Sequence, residues 1–162
     1  MAKKKIQKTN AIRLLEQMKI GYQEAEYPFE EEHIDANTTA KTLGLPAGAI
    51  YKTLVTVGNK TGPVVAVIPG NCELDLKSLA KVSGNKKMEM LHLRELESTT
   101  GYIRGGCSPI GMKKLFPTFI DEKAQIQTEI HISAGRRGLQ MSLQAEDLVK
   151  ATKGQFAKLT II

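Results

Sequence analysis

The stretch Thr100-Gly101-Tyr102-Ile103-Arg104-Gly105-Gly106-Cys107-Ser108-Pro109-Ile110-Gly111-Met112-Lys113-Lys114 decides how the rest of the chain is read. Four glycines, one proline and three bases fall within these fifteen residues. The pair Gly105-Gly106 carries no Cβ to hold a ligand or a neighbouring backbone away, and Pro109 limits how far that freedom extends. A tight loop between two strands accounts for such a segment equally well. Three nearby bases add the option of an anionic ligand. The loop is not a P-loop: Gly106 and Gly111 have the G-x-x-x-x-G spacing, but Met112 stands at the lysine position and Lys113 at the hydroxyl position.

Ordinary patterns flank this stretch. On its N-terminal side, Thr9 can cap a helix running to about Ile20, and Tyr22 to Tyr27 reads as a strand kept extended by Pro28. Asn37 to Leu43 reads as a short helix with Gly44 at its end. Ile50 to Val57 and Val64 to Ile68, joined by Gly58-Asn59-Lys60-Thr61-Gly62, form an expected hairpin. Asp75 starts a helix through Val82, Met88 to Met90 is a short strand, and Leu91 to Leu96 a short helix. On the C-terminal side, strands are expected at Thr118 to Ile120, Glu129 to Ser133 and Gly138 to Ser142, the last two separated by an Ala134-Gly135-Arg136-Arg137 turn. Ser142 can cap a last helix to about Thr152, and Phe156 to Ile162 can close the sheet. About seven short strands with interspersed helices predict a mixed α+β single domain.

The 162 residues suffice for one domain with a real core, and 41% hydrophobic and 25% charged residues fit a soluble globular chain. The longest apolar run, Val64 to Ile68, is too short for a bilayer, and no apolar core follows Lys3-Lys4-Lys5 to make a signal peptide. Cys72 and Cys107 lack C-x-x-C spacing, so a cytoplasmic protein is expected. The charge is segregated. Glu24, Glu26, Glu30, Glu31, Glu32 and Asp35 form an acidic block, whereas from residue 36 onward 17 bases face 10 acids. That excess suits a polyanion such as nucleic acid, and equally a solvated basic surface.

Among candidates for chemistry, His33, His92 and His131 show no zinc-ligand spacing, and there is no G-x-S-x-G serine elbow. No metal and no organic cofactor is suggested. Cys107 has no obvious base beside it and reads as a small buried thiol. Strand alternation in Tyr51-Lys52-Thr53-Leu54 places Lys52 opposite Tyr51 and Thr53. Facing solvent, Lys52 is unremarked. Facing a cleft, it is a fixed cation able to hold a phosphate or polarise a carbonyl.

Several stretches together resemble the YbaK/EbsC family, freestanding relatives of the editing domain inserted in bacterial prolyl-tRNA synthetases. They are Ala49-Ile50-Tyr51-Lys52-Thr53-Leu54, Leu74-Asp75-Leu76-Lys77, Ser98 through Lys114, and Ser133-Ala134-Gly135-Arg136-Arg137-Gly138-Leu139. The resemblance covers residues 9–162, after a lysine-rich extension at 1–8. It implies a curved, barrel-like sheet with flanking helices. It also implies deacylation of cysteinyl-tRNA, chiefly cysteine misattached to tRNA(Pro) and also Cys-tRNA(Cys), with prolyl-tRNA synthetase as a partner. Cysteine and proline are close in size, and a pocket reading fit alone discriminates only modestly between them. The implied mechanism uses the substrate's own thiol, which cyclises to a thiolactone with a large proximity advantage.

Carried over residue by residue, the resemblance implies Lys52, Gly105 and Tyr27 as catalytic, with the Gly105 N–H as an oxyanion donor. It implies Thr53, Gly106, Ser108, Pro109, Ser133 and Gly135 as substrate-binding. Lys113, Lys114, Arg136 and Arg137 are candidates for tRNA phosphates, contacts that position without reading sequence. Three residues depart from the pattern: Asp35 falls where an aromatic can occur, Gln140 where an aspartate can, and Cys107 where an aliphatic is common. A deacylase of another misacylated tRNA, such as Ala-tRNA(Pro), and a non-catalytic tRNA-binding module are the alternatives.

Overall fold

A computed structural model describes residues 8–30 and 34–161. The Lys3-Lys4-Lys5 run, Glu31, Glu32, His33 and Ile162 lie outside the described residues. The chain forms a mixed α+β fold whose strands fall in two sheets. One contains β1 (Gln23–Glu26), β7 (Leu139–Leu143) and β6 (Ile130–Arg136), in that order. The other has the order β4 (Met88–Met90), β2 (Tyr51–Gly58), β3 (Gly62–Pro69), β5 (Thr118–Asp121) and β8 (Gln155–Ala157). The helices are α1 (Asn10–Gln17), α2 (Ala36–Leu43), α3 (Leu76–Ser83), α4 (Leu96–Thr100) and α5 (Ala145–Thr152).

Strand β3 explains its own composition. Val64, Val65, Ala66, Val67 and Ile68 are all fully buried, because both faces of the strand are covered. Alternation sends Val65 and Val67 into a core with Ile12 and Leu15 of α1, Ile132 of β6, Met141 of β7 and Leu148 of α5. Val64, Ala66 and Ile68 enter a second core with Leu79 of α3, Met88, Phe119 and Leu159. An antiparallel ladder to β2 runs from Tyr51↔Pro69 to Gly58↔Gly62, as the expected hairpin requires, and a parallel ladder joins β3 to β5.

Helix ends follow local chemistry. Thr9 accepts from Ile12 N at 3.2 Å to cap α1, and Asp35 accepts from Thr38 N at 3.2 Å to cap α2. The first helix stops at Gln17, short of Ile20, and Lys19 takes a positive φ of 58°. Two expectations change more. Ser142 sits inside β7 and does not cap α5, which follows Gln144 without a side-chain cap. The Ala134-Gly135-Arg136-Arg137 segment is not a turn: β6 continues through it with a bulge between Ser133 and Arg136, and the reversal falls at Arg137-Gly138. Gly135, at φ +105°, is the residue that accommodates the bulge. The expected Leu91–Leu96 helix is displaced, with one 3-10 turn at Leu93–Glu95 leading into α4.

The two sheets touch where Ile50, just ahead of β2, makes a parallel bridge to His131 of β6. The glycine stretch follows α4 and closes over this junction. Tyr102 anchors it from within, donating from its buried hydroxyl to Ile110 O at 2.6 Å.

Candidate active site

At the sheet junction lies a cavity of about 380 Å³. Strand β2 supplies Tyr51, Lys52 and Thr53, and the second sheet supplies Ser133 and Gln140, which face each other across the β6–β7 ladder. Tyr27, just after β1, and Asp35, at the cap of α2, close two more sides. The glycine stretch contributes Arg104, Gly105 and Cys107. Residues distant in sequence thus meet because β2 begins where the sheets meet, so both of its faces reach the cavity wall.

The backbone at Gly105 is specific to glycine. Its φ is +85°, and a Cβ there would come within 2.8 Å of the Ile34 side chain. Gly106 is pressed against the other sheet, where a Cβ would lie 2.8 Å from Arg136 Cα. Its N–H donates to Ile103 O at 2.9 Å, whereas the Gly105 N–H has no acceptor among the described residues. A donor so placed is free for a ligand oxygen.

Lys52 lines the cavity with a single long hydrogen bond, 3.4 Å to Gly70 O, and no carboxylate partner among the described residues. The one acid among the described lining residues, Asp35, has its carboxylate engaged by Thr38, accepting from Oγ1 at 2.7 Å. Three buried side-chain atoms have no partner: Tyr51 Oη, Thr53 Oγ1 and Gln140 Oε1. All three residues line this cavity. Gln140 is 5% exposed, so its oxygen has given up bulk water without a replacement bond, an arrangement a bound polar ligand corrects. The Tyr51 hydroxyl instead lies in the field of Asp121 and Cys72, which do not line the cavity. Burial raises the Tyr51 hydroxyl above its ordinary value, with Asp121 adding to the effect, so it remains a donor at neutral pH.

The Cys107 thiol is pushed up to about 12, mainly by burial. It stays protonated at neutral pH and is a poor nucleophile. Ser133 Oγ accepts from Gly135 N at 3.3 Å, and no histidine stands among the described lining residues. The lining therefore holds no serine–histidine or cysteine–histidine pair. What it offers is a cation, a free backbone donor and uncommitted hydroxyl and amide groups.

Of the residues singled out from sequence, Tyr27, Lys52, Thr53, Gly105 and Ser133 are brought together in the lining, with Asp35, Cys107 and Gln140. Others lie elsewhere. Ser108 is buried and accepts from Ile110 N at 3.2 Å, bracing the loop. Gly106 and Gly135 are close-packing points, the latter against Thr9 and Tyr102. Pro109 and Lys114 line a second cavity of about 370 Å³ beside α1. Lys113 donates to Ser98 O at 3.2 Å, Arg136 pairs with Glu26 at 3.1 Å, and Arg137 donates to Arg104 O at 2.8 Å. Sequence reasoning counted Arg104 only among the three bases of the stretch and gave no role to Tyr51. A base beside the glycine pair was the available signal for the first. Tyr51 gave none, since alternation alone sets it opposite Lys52.

The chain belongs to the aminoacyl-tRNA editing domain family, whose model matches residues 30–151. It is 63% identical over 161 residues, 99% of this chain and 98% of the relative, to the Enterococcus faecalis protein named "Putative Cys-tRNA(Pro)/Cys-tRNA(Cys) deacylase EbsC". A crystal structure of "a putative trans-editing enzyme for prolyl tRNA synthetase" superposes with a TM-score of 0.82 at 26% identity, covering 93% of this chain and 94% of the other. The structure of hypothetical protein APE2540 shares the fold at 20% identity, with a TM-score of 0.85 and coverage of 94% and 99%. Among the described residues no helix is long and apolar enough to cross a membrane.

Proposed function

We propose that residues 9–162 act as a trans-acting editing unit that deacylates Cys-tRNA(Pro), and Cys-tRNA(Cys), in the cytoplasm. The observation that carries this reading is a cavity that holds, among the described residues, a lysine without a carboxylate partner and a backbone donor without an acceptor but no activated protein nucleophile. Such a site suits a substrate that brings its own. The cysteinyl thiol attacks its ester carbonyl, forming the S–C bond of a thiolactone. The bond from that carbon to the ribose oxygen breaks, the thiol proton ends on the ribose hydroxyl, and water later opens the thiolactone. The near relative's name and the prolyl-tRNA synthetase association of the structural neighbour support the same substrate class.

In this reading the Gly105 N–H receives the developing oxyanion, and Lys52 holds the phosphate or the ester beside it. Tyr27, Thr53 and Ser133 border the aminoacyl group, and a synthetase partner supplies selectivity for the tRNA body. Cys-tRNA(Pro), Ala-tRNA(Pro) and Cys-tRNA(Cys) incubated with the protein test it. Cysteine-specific ester loss with thiolactone as first product is expected. Faster loss of alanine would replace the cysteine reading, because alanine has no thiol to cyclise.

A further inference from the structure

At the far end of the β2–β3 hairpin, two loops are locked together by a pair of asparagines. Asn85, 8% exposed, accepts from Lys60 N at 2.8 Å and Thr61 N at 3.1 Å. It also donates to Thr61 Oγ1 and Ser83 Oγ, both at 2.9 Å, so its amide is fully used. Asn59 answers from the hairpin, accepting from Lys86 N at 3.0 Å and Lys87 N at 2.9 Å. Gly58 makes room for the lock, because a Cβ there would run into the Asn85 side chain.

The lock fixes the backbone from which three exposed lysines leave, Lys60 on one loop and Lys86 and Lys87 on the other. The two loops, residues 58–62 and 84–87, contain no acid, no aromatic ring and no large apolar side chain. Glu89 pairs with Lys87 at 3.3 Å, but both side chains are largely in solvent, where such a pair is weak and a phosphate can replace it. Strand β2 starts at the cavity with Tyr51 and Lys52 and reaches the lock at Gly58. About 20 Å of strand therefore separates Lys52 from these lysines, farther than a terminal nucleoside held in the cavity extends.

We propose that the two locked loops form a second, remote contact that takes the backbone phosphates of a double-stranded RNA segment. Without an aromatic ring they have nothing on which an unpaired base could stack, and without an apolar anchor they lack the centre of a protein interface. A duplex asks only for what they offer, because its bases are already paired and its charge faces outward. Holding the lysine-bearing backbone rigid lowers the entropy cost of docking on that charge. The inference rests on the RNA-editing reading for the identity of the polyanion, and it adds a surface that the chemistry in the cavity does not require.

The test measures binding of a blunt-ended RNA hairpin and of an unstructured oligouridine with the same number of phosphates. The double variant Lys86→Gln/Lys87→Gln should bind the hairpin about tenfold more weakly, with the salt slope lowered by about two, and bind oligouridine like wild type. Lys150→Gln/Lys158→Gln, which removes the same charge from exposed lysines elsewhere, should leave hairpin binding unchanged. Asn59→Ala keeps every charge but frees the Lys86 and Lys87 amides, and should weaken hairpin binding about threefold. The proposal is overturned if the first double variant or Asn59→Ala binds the hairpin like wild type. It is overturned equally if the control pair costs as much, or if oligouridine loses as much as the hairpin. Cleavage of a short cysteinylated oligonucleotide, too small to reach the loops, is read separately and should be the same in wild type and variants. No cleavage by any of them, with the hairpin results as expected, would sink the deacylase reading and leave the remote contact standing.

Discussion

Two cavities of nearly equal size, about 380 and 370 Å³, lie at opposite ends of the glycine stretch. The first touches Arg104, Gly105 and Cys107; the second touches Pro109, Gly111 and Met112 and is walled by Leu14, Leu115 and Phe116. Size does not distinguish them, but bonding does. Among the described residues, the three buried polar atoms without partners belong to residues of the first cavity, and none to the second. An unsatisfied buried group costs stability, so its clustering in one cavity marks where a ligand, rather than the fold, sets the side-chain arrangement.

Among substitutions in the two cavities, the largest effect belongs to Lys52. Lys52→Ala should lower deacylation by about 10³-fold or more, with circular dichroism and melting unchanged, since the side chain makes only one long hydrogen bond. Near-native turnover in this variant would remove the cation from the mechanism. Gly105→Ala keeps the backbone N–H but displaces it, through the positive φ and the Cβ contact with Ile34, and should cost about 10²-fold in turnover and destabilise the fold by about 1–2 kcal/mol. A variant that is destabilised yet fully active would show that the placement of this N–H does not matter to the reaction.

In the second cavity the effects should be small. Lys114→Ala is expected to change turnover by less than about threefold while lowering the salt slope of tRNA binding by about one. A collapse of catalysis there would make the two cavities equivalent and the contrast in unpaired atoms meaningless.

Cys107 gives the finest test. Cys107→Ala should leave the pH dependence of deacylation unchanged, because a thiol pushed up to about 12 does not titrate in the working range. Its folded value lies above the ordinary one, so its contribution to stability is complete below about pH 9 and declines as pH rises toward 12. Melting temperatures of wild type and variant should therefore differ by a constant amount up to pH 9, and the wild type should lose ground above it. A wild-type pH profile that shifts on removing Cys107 would mean that the protein's own thiol takes part.

Much of the fold was legible because local chemistry and burial pattern agreed. Asp35 and Gly44 bracket α2, and the β-branched run at Val64 fits a strand covered on both faces. What failed was positional. Ser142 has a capping side chain, but its pairing with Gln23 and His131 keeps it in a strand. Glycine in Ala134-Gly135-Arg136-Arg137 suggested a turn, yet a bulge uses the same conformation while the ladder continues. In the site, Lys52 and Gly105 stood out by composition. Tyr51 and the reach of Arg104 to the cavity did not, because their placement depends on two sheets meeting and on Gly106 packing against Arg136.

The Gly105 amide, which has no acceptor among the described residues, also has a spectroscopic consequence. Its proton should exchange with solvent far faster than that of Gly106, its bonded neighbour. Adjacent glycine signals in an amide spectrum would then act as a paired reporter. When an ester or its analogue enters the cavity, the Gly105 resonance should move downfield and become protected while Gly106 stays still, so occupancy can be read without any turnover.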